Sequence, residues 1–257
     1  MPLGGSSKPV AMRTVELTKR FGGNIAVNKV SLEIEEGTCT GIIGPNGSGK
    51  TTLLNVLSGE LKPDSGEVFL GERNITDVPR HRRALLGMGR SFQHVNLFPN
   101  LTVLENVRLA VQAQGGKKWR VLSSHSNDTE CYNRAMETLQ TVGLRTKVSL
   151  PAFSLNHGEK RKLELAMILS QDPKVLLLDE PTAGMSVEEV PAILEILVKI
   201  RQRQEKTIVL VEHRMDFVGS LVDKLAVLLF GELIAYDSPR NIAADKRVAS
   251  AYFGEEV

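Results

Sequence analysis

Cysteine is nearly absent: Cys39 and Cys131 are the only two in 257 residues, and neither sits in metal-ligand spacing. That excludes a disulfide framework and predicts a reducing, cytoplasmic setting, with Cys39 as a small core residue of a strand. Long apolar runs are also missing. The longest, Leu225 to Phe230, is far too short to cross a bilayer. The opening Met1-Pro-Leu-Gly-Gly-Ser-Ser-Lys-Pro9 lacks the apolar core of a signal peptide, so residues 1–10 are expected to form a flexible tail. No charge of one sign dominates. With 32 basic and 30 acidic residues the net charge is +2, which gives no electrostatic footprint for nucleic acid. The densest basic cluster, Arg80-His-Arg-Arg83, reads as a solvated helix face. Hydrophobic residues at 42% suffice for a real core, and the length allows one large domain or two small ones.

What is present is a phosphate-binding loop, Gly44-Pro-Asn-Gly-Ser-Gly-Lys-Thr51. Gly44, Gly47 and Gly49 let successive backbone N–H groups point at one anion. Lys50 supplies a point charge for the terminal phosphates, and the Thr51 hydroxyl is suited to Mg²⁺. Thr40, Ile42 and Ile43 read as a buried strand entering the loop. Thr52-Leu-Leu-Asn-Val-Leu57 reads as a helix leaving it, its positive dipole end aimed at the same phosphates. Pro45, Asn46, Ser48 and Thr52 complete the expected nucleotide contacts. The chain is expected to bind a nucleoside triphosphate.

A second motif narrows the chemistry. Val175-Leu-Leu-Leu178 reads as a buried strand that runs into Asp179-Glu180. A carboxylate at such a strand end lies beside the loop and can hold Mg²⁺ through water, which is the reading for Asp179. Glu180, one residue on, is placed to orient or deprotonate an attacking water.

The hydrophobic pattern sets these motifs in a fold. Residues 12 to 35 alternate in the manner of antiparallel strands around Gly22-Gly23, and Gly66 to Leu70 adds another after the turn at Pro63. Helical periodicity fills Thr102 to Leu144, divided at Gly115-Gly116 and by the polar run Ser123 to Thr129. Beyond residue 160, helices and short buried strands alternate: a helix from Leu163 to Ser170, the strand at Val175, a helix from Val187 to Arg203, and a strand from Ile208 to Val211. Ser186 with Glu189 fits a capping box, with Pro191 behind it at the cost of one intrahelical hydrogen bond. Leu225–Phe230 and Leu233–Tyr236 flank Gly231-Glu232 as a hairpin. The fold class is α/β, a phosphate-loop NTPase core of the RecA-like kind with a mainly parallel sheet, an N-terminal antiparallel β layer and an inserted α-helical subdomain. A single domain is expected over residues 11–257, its core about 11–92 and 164–257 and its helical subdomain about 93–163.

With these motifs in order, the chain resembles the ATP-binding cassette transporter ATPases over residues 12 to 254. The resemblance implies further roles. Ser91-Phe-Gln93 is similar to the family's glutamine loop, with Gln93 meeting Mg²⁺ or the attacking water. Ser154-Leu-Asn-His-Gly158-Glu is similar to the signature that opens a helix, so Asn156 and Gly158 would contact the nucleotide of a facing subunit. There Asn156 replaces the usual serine, and its amide and the N–H groups around Gly158 remain available to a phosphate. Lys160-Arg-Lys162 behind them reads as a solvated face or as a neighbour to a partner phosphate. Pro181 to Ser186 resembles the D-loop with serine in place of aspartate, His213 the switch histidine, and Phe21 the aromatic that stacks on adenine.

Gly87 to Gln93, Leu97 to Asn106 and the ending Ala251-Tyr-Phe-Gly-Glu255 are most similar to the ATPases of branched-chain amino acid importers. The resemblance implies ATP and Mg²⁺ as cofactors and an ATPase subunit on the cytoplasmic face of the membrane. It would pair with a second cassette, the same or different, and be held there by permease subunits that receive cargo from an external binding protein. No nucleic-acid partner is implied, because the long heptad arms of repair ATPases are missing. Importers of urea and short amides share much of the pattern, and an exporter of lipid-like cargo would share the chemistry. Val95, Leu97 and Phe98 are expected to line a surface groove for a short permease helix, and Leu101 to join the helical core.

Overall fold

The alternation at the start of the chain folds as one long hairpin. In the computed structural model, which describes residues 8–91, 97–114 and 125–253, β1 (Val10–Phe21) pairs antiparallel with β2 (Asn24–Glu35) across Gly22-Gly23. Val10 already lies opposite Glu35, and the Pro9 carbonyl accepts a hydrogen bond from Glu36 N–H at 2.8 Å. Strand pairing therefore reaches into the expected tail; residues 1–7 lie outside the described residues. β3 (Cys39–Ile43) is wholly buried and leads through the phosphate loop into α1 (Lys50–Ser58). β4 (Ser65–Leu70) and the short β5 (Arg73–Asn74) complete an antiparallel sheet in the order β2-β1-β4-β5.

After α2 (Arg80–Leu85) and β6 (Met88–Arg90), three helices follow: α3 (Val103–Gln114), α4 (His125–Thr141) and α5 (His157–Leu169). They pack on one another through Val103, Val107, Ala135, Leu139 and Leu163. The polar run Ser123 to Thr129, expected to divide this region, is helical from His125 onward; Gly115-Gly116 and Ser123-Ser124 lie outside the described residues. The second sheet is built from β7 (Val175–Asp179), β8 (Thr207–Val211), β9 (Lys224–Leu229) and β10 (Glu232–Asp237) with β3 and β6. Its order is β10-β9-β3-β8-β7-β6, parallel except at the β9–β10 hairpin. α6 (Val190–Gln202) and α7 (Met215–Leu221) pack against it, and α8 (Pro239–Ala244) and α9 (Lys246–Phe253) close the described chain.

Alternation along the strands explains why both faces of this sheet are covered. Leu176, Leu178, Ile208 and Leu210 belong to one core with α5, α6 and α7. Val175, Leu177, Val209 and Val211 belong to the other, with Leu53 and Leu57 of α1 and Leu17 and Val30 of the antiparallel sheet. The phosphate loop therefore leaves the middle of a sheet that is clamped from both sides.

Three expectations are corrected. α6 starts at Val190 rather than Val187, with Glu189 at its N-cap and Pro191 in its first turn. A first-turn N–H has no intrahelical acceptor in any case, so Pro191 costs no hydrogen bond there. Leu97 packs against the core, Phe98 is exposed and Leu101 is half-buried, while Val95 lies outside the described residues. The Arg80–Arg83 cluster is not a uniform solvated face, because Arg83 is only 1% exposed. Its guanidinium donates to the carbonyls of Val56, Leu57, Thr76 and Val78 at 2.7–3.1 Å, tying the end of α1 to the turn that follows β5.

Replacing Arg83 with Met keeps much of the bulk but deprives those carbonyls of their donors. The expected loss is about 2–4 kcal/mol of stability, read as a lower urea midpoint at unchanged slope; a midpoint equal to wild type would contradict this account.

Candidate nucleotide site

The loop between β3 and α1 is shaped by contacts that only its own residues permit. Gly49 is the N-cap of α1 at φ 98°, and no side chain caps the helix. A Cβ on Gly49 would lie 2.1 Å from the Ala26 carbonyl oxygen of the N-terminal hairpin. The turn between β9 and β10 braces the loop from the other side, Gly231 N–H donating to the Ser48 carbonyl at 3.1 Å. No acidic residue stands in the first turn of α1. The helix start thus presents unpaired N–H groups and its positive end, the arrangement that suits an anion.

Lys50 is 5% exposed and folds back on the loop, its Nζ donating to the carbonyls of Gly44 at 2.8 Å and Pro45 at 2.9 Å. Burial lowers the ammonium below its ordinary range, while the charges of Glu180 and Asp179 raise it. The Ser48 hydroxyl is buried with no hydrogen-bond partner among the described residues. Pro45, Asn46, Gly47, Thr51 and Thr52 retain access to solvent in varying degree. Phe21 is 49% exposed at the tip of the hairpin whose Ala26 touches the loop.

Asp179 ends β7 with 2% of its surface exposed, and its Oδ1 meets no hydrogen-bond partner among the described residues. The other oxygen lies 3.7 Å from the Arg90 guanidinium, and the Asp179 N–H is held by the Ser91 hydroxyl at 3.0 Å. Burial pushes the Asp179 carboxyl above its usual range; Arg90 pulls against that and the Glu180 charge adds to it. A buried acid with an orphaned oxygen is what a cation would satisfy, so this donor fits Mg²⁺. Gln93, expected beside it, lies outside the described residues.

Glu180 occupies a positive φ of 45°. For a non-glycine residue that costs about 1–2 kcal/mol, and strain of this kind gathers at functional sites. Its N–H is held by the Val211 carbonyl at 2.9 Å, and its Oε1 meets His213 Nε2 at 2.8 Å. The structure therefore brings Lys50, Asp179, Glu180 and His213 into one neighbourhood.

Asn156 and Gly158 stand elsewhere, at the start of α5. Among the described residues, no hydrogen bond joins them to Gly44–Thr51. Asn156 Oδ1 accepts Glu159 N–H at 2.8 Å and Glu159 reaches back to Asn156 N–H, a full capping box that leaves the Asn156 amide nitrogen unspent. The expectation that the Gly158 N–H stays available is corrected: it donates to the Glu189 carboxylate at 3.2 Å. Glu189 also accepts Ser186 N–H at 3.1 Å, so only that half of the predicted capping box forms. Arg161, expected on a solvated face, is 5% exposed and bonds Glu164 at 3.0 Å.

Two carboxylates here do more than the sequence shows: Glu189 is legible only as a helix cap, and Glu212 not at all. Glu189 links α5 to the segment after Glu180. Glu212, 3% exposed, stands beside His213 and touches Thr182. A lone carboxylate directly after the apolar strand Ile208–Val211 was the available signal.

A model of the ABC transporter family matches residues 27–183, which span the loop, Asp179 and Glu180. The chain belongs to that family. This ABC cassette is an ATP-binding, ATP-hydrolysing unit with the phosphate-loop NTPase fold. It is 37% identical over 244 residues to a high-affinity branched-chain amino acid transport ATP-binding protein, LivG, of Salmonella typhimurium, covering 93% of this chain and 96% of that one. It is 34% identical to the corresponding protein BraF of Pseudomonas aeruginosa, covering 97% and 99%. Among solved structures, the ADP conformation of an ATP-binding cassette of an ABC transporter superposes with a TM-score of 0.82 at 30% identity, covering 96% of this chain and 99% of that one. A dimeric bacterial ABC transporter cassette gives 0.76 at 28% identity, covering 88% and 98%.

In this cassette Gly49→Ala would force the loop off Ala26. Strain of about 1–3 kcal/mol corresponds to a roughly 10- to 100-fold loss of nucleotide affinity, measured by titration with a fluorescent ATP analogue. Gly47→Ala, whose Cβ meets nothing within 4 Å, should cost less. Equal affinities for the two variants would refute the close-approach argument.

Proposed function

We propose that this ABC cassette powers import of branched-chain amino acids, working on the cytoplasmic face of the membrane as one of a facing pair of cassettes. The observation that carries the site assignment is the Glu180–His213 contact of 2.8 Å beside a buried Asp179 with an orphaned oxygen. The names of the relatives support the cargo. The dimeric bacterial cassette among the structural neighbours supports the pairing, with a second copy or a related ATPase as partner.

In this reading the N–H groups at the start of α1 bind the phosphates, with Gly44, Pro45, Asn46, Gly47 and Ser48 shaping the loop, and Lys50 exchanges its two carbonyl acceptors for phosphate oxygens. Thr51 and Asp179, with Gln93, hold Mg²⁺, and Thr52 adds a hydroxyl next to Thr51. Among the described residues, no three His, Cys, Asp or Glu side chains gather as a metal cage, and a Mg²⁺ that keeps waters and phosphate oxygens needs none. When bound, the ion supplies positive charge against the phosphates. Glu180 orients the attacking water and takes its proton, and His213 fixes the Glu180 carboxylate from the side. Phe21 stacks on the adenine. Asn156 donates its amide to the nucleotide of the facing cassette, whose phosphate would displace Glu189 from the Gly158 N–H.

Among the described residues, no helix is long and apolar enough to cross a membrane, so the proposed membrane link is a permease. Phe98 at 51% exposed, Phe153 at 60% and Leu150 at 41% offer it an apolar surface. Phe153 N–H bonds the Pro99 carbonyl at 3.0 Å, which joins the two segments that carry the aromatics. Leu97, packed inward, has no part in it.

Glu180→Gln should keep ATP binding and slow hydrolysis on the order of 10²–10⁴-fold, accumulating an ATP-bound pair visible by size-exclusion chromatography. Turnover near wild type would remove Glu180 from the mechanism. Phe98→Asp should leave ATPase activity of the purified cassette nearly intact while preventing co-purification with its permease. Recovery of the complex at wild-type yield would rule out this docking surface.

A further inference from the structure

Glu212 is a buried carboxylate among neutral donors. Among the described residues it forms no ion pair, and at 3% exposure it cannot draw on water for its solvation. Such a group persists where every lone pair is used. Its Oε1 accepts the Thr182 N–H at 3.2 Å and the Thr182 hydroxyl. Its Oε2 accepts the N–H of His213 at 2.8 Å and of Arg214 at 3.3 Å. One oxygen thus serves the segment after Glu180 and the other serves the segment that carries His213.

We infer that Glu212 is a positioning residue for ATP hydrolysis, a strut that sets the distance between Glu180 and His213 from behind. The inference rests on the proposed roles of those two residues. The last rung of the β7–β8 ladder, Glu180 N–H to the Val211 carbonyl at 2.9 Å, aligns the two strand ends. Beyond it the chains are free to diverge, and Glu180 is held at a positive φ that the backbone alone does not favour. The bonds from Thr182 to Glu212 close the gap two residues past Glu180, and the bond to His213 N–H fixes the backbone from which the imidazole reaches Glu180 Oε1. Among the described residues, no other side chain bonds both the segment after Glu180 and the backbone at His213. An apolar residue at 212 would suit the burial but would leave these donors unpaired.

The test is steady-state kinetics of the purified full chain with Mg²⁺ and ATP. Glu212→Gln keeps the volume, but its amide nitrogen cannot accept a hydrogen bond, so one side of the strut fails. Turnover should fall roughly 10- to 100-fold, as displacements of about 1 Å do, while KM for ATP stays within about 2-fold because the phosphate loop is untouched. In a His213→Ala background the same change should cost far less than in wild type, since the residue it positions is gone. Wild-type kcat for Glu212→Gln overturns the inference, as does a rise in KM alone or a full multiplicative loss on top of His213→Ala. If Glu212→Gln does not fold, Thr182→Val removes the hydroxyl bond and should show a weaker version of the same split; unchanged kcat there overturns the strut. Wild-type turnover by both Glu180→Gln and His213→Ala would bring down the hydrolysis reading and this inference together. Impairment of those two beside a normal Glu212→Gln would bring down the inference alone.

Discussion

Val211 pairs in parallel with Ile42 on one side and with Asp179 on the other. That register is the constraint on which the rest of the site depends. It brings three strands that are far apart in sequence to an end at the same level, so the phosphate loop, the Asp179-Glu180 pair and the Glu212-His213 pair emerge side by side. Ligands of open α/β sheets bind beyond the carboxyl ends of the strands for this reason. A slip of one residue in β8 would move His213 along the strand axis by about 3.3 Å and turn its neighbours to the opposite face. Burial of both sheet faces between two cores prevents that slip.

The elements that were legible in the sequence are those whose signal is local. The phosphate loop announces itself by glycine placement, and the buried strands by unbroken Val, Leu and Ile runs of five residues or fewer. The β9–β10 hairpin shows in the Gly231 turn. What was illegible depended on pairing in space. Arg83 lies in a run of basic residues and is read as solvated, yet its position against the end of α1 gives it carbonyl acceptors and buries it. Arg161 differs: its partner Glu164 is three residues on along the same helix, but the burial of both depends on what packs over that face. The start of α6 was placed early because Ser186 and Glu189 have capping-box spacing, whereas Glu189 spends one oxygen on Gly158 of α5. Asp179 and Glu180 are legible because one closes an apolar strand and the other directly follows it, and His213 because it stands just past another. Glu212 follows one too, and its role shows only once Thr182 is seen beside it.

Negative charge is concentrated where the strands end. Asp179, Glu180 and Glu212 have different partners: a guanidinium at 3.7 Å for Asp179, whose burial works against its charge, an imidazole for Glu180, and neutral donors for Glu212. Lys50 faces the first two electrostatically and is occupied by loop carbonyls. The site is therefore short of positive charge on the Asp179 side, where the orphaned oxygen lies. In the proposed function a divalent cation entering with a nucleotide would correct that deficit and so make a carboxylate tolerable at the end of a fully buried strand.

The segment from Pro181 to Glu189 is fastened at both ends by carboxylates. At its start Thr182 is tied to Glu212, behind the Glu180–His213 contact; at its end Glu189 is tied to Gly158, where α5 begins. His157 adds a middle tie through Nε2 to the Ala183 carbonyl at 3.2 Å. In the proposed facing pair, the start of α5 would read the nucleotide held by the other cassette. A phosphate that displaces Glu189 from Gly158 would release one end of a segment whose other end helps to hold the hydrolytic groups of its own site. Coupling between sites would then need no long pathway, since this short loop, anchored at Glu212 and at Gly158, would itself supply the two arrangements that such coupling requires.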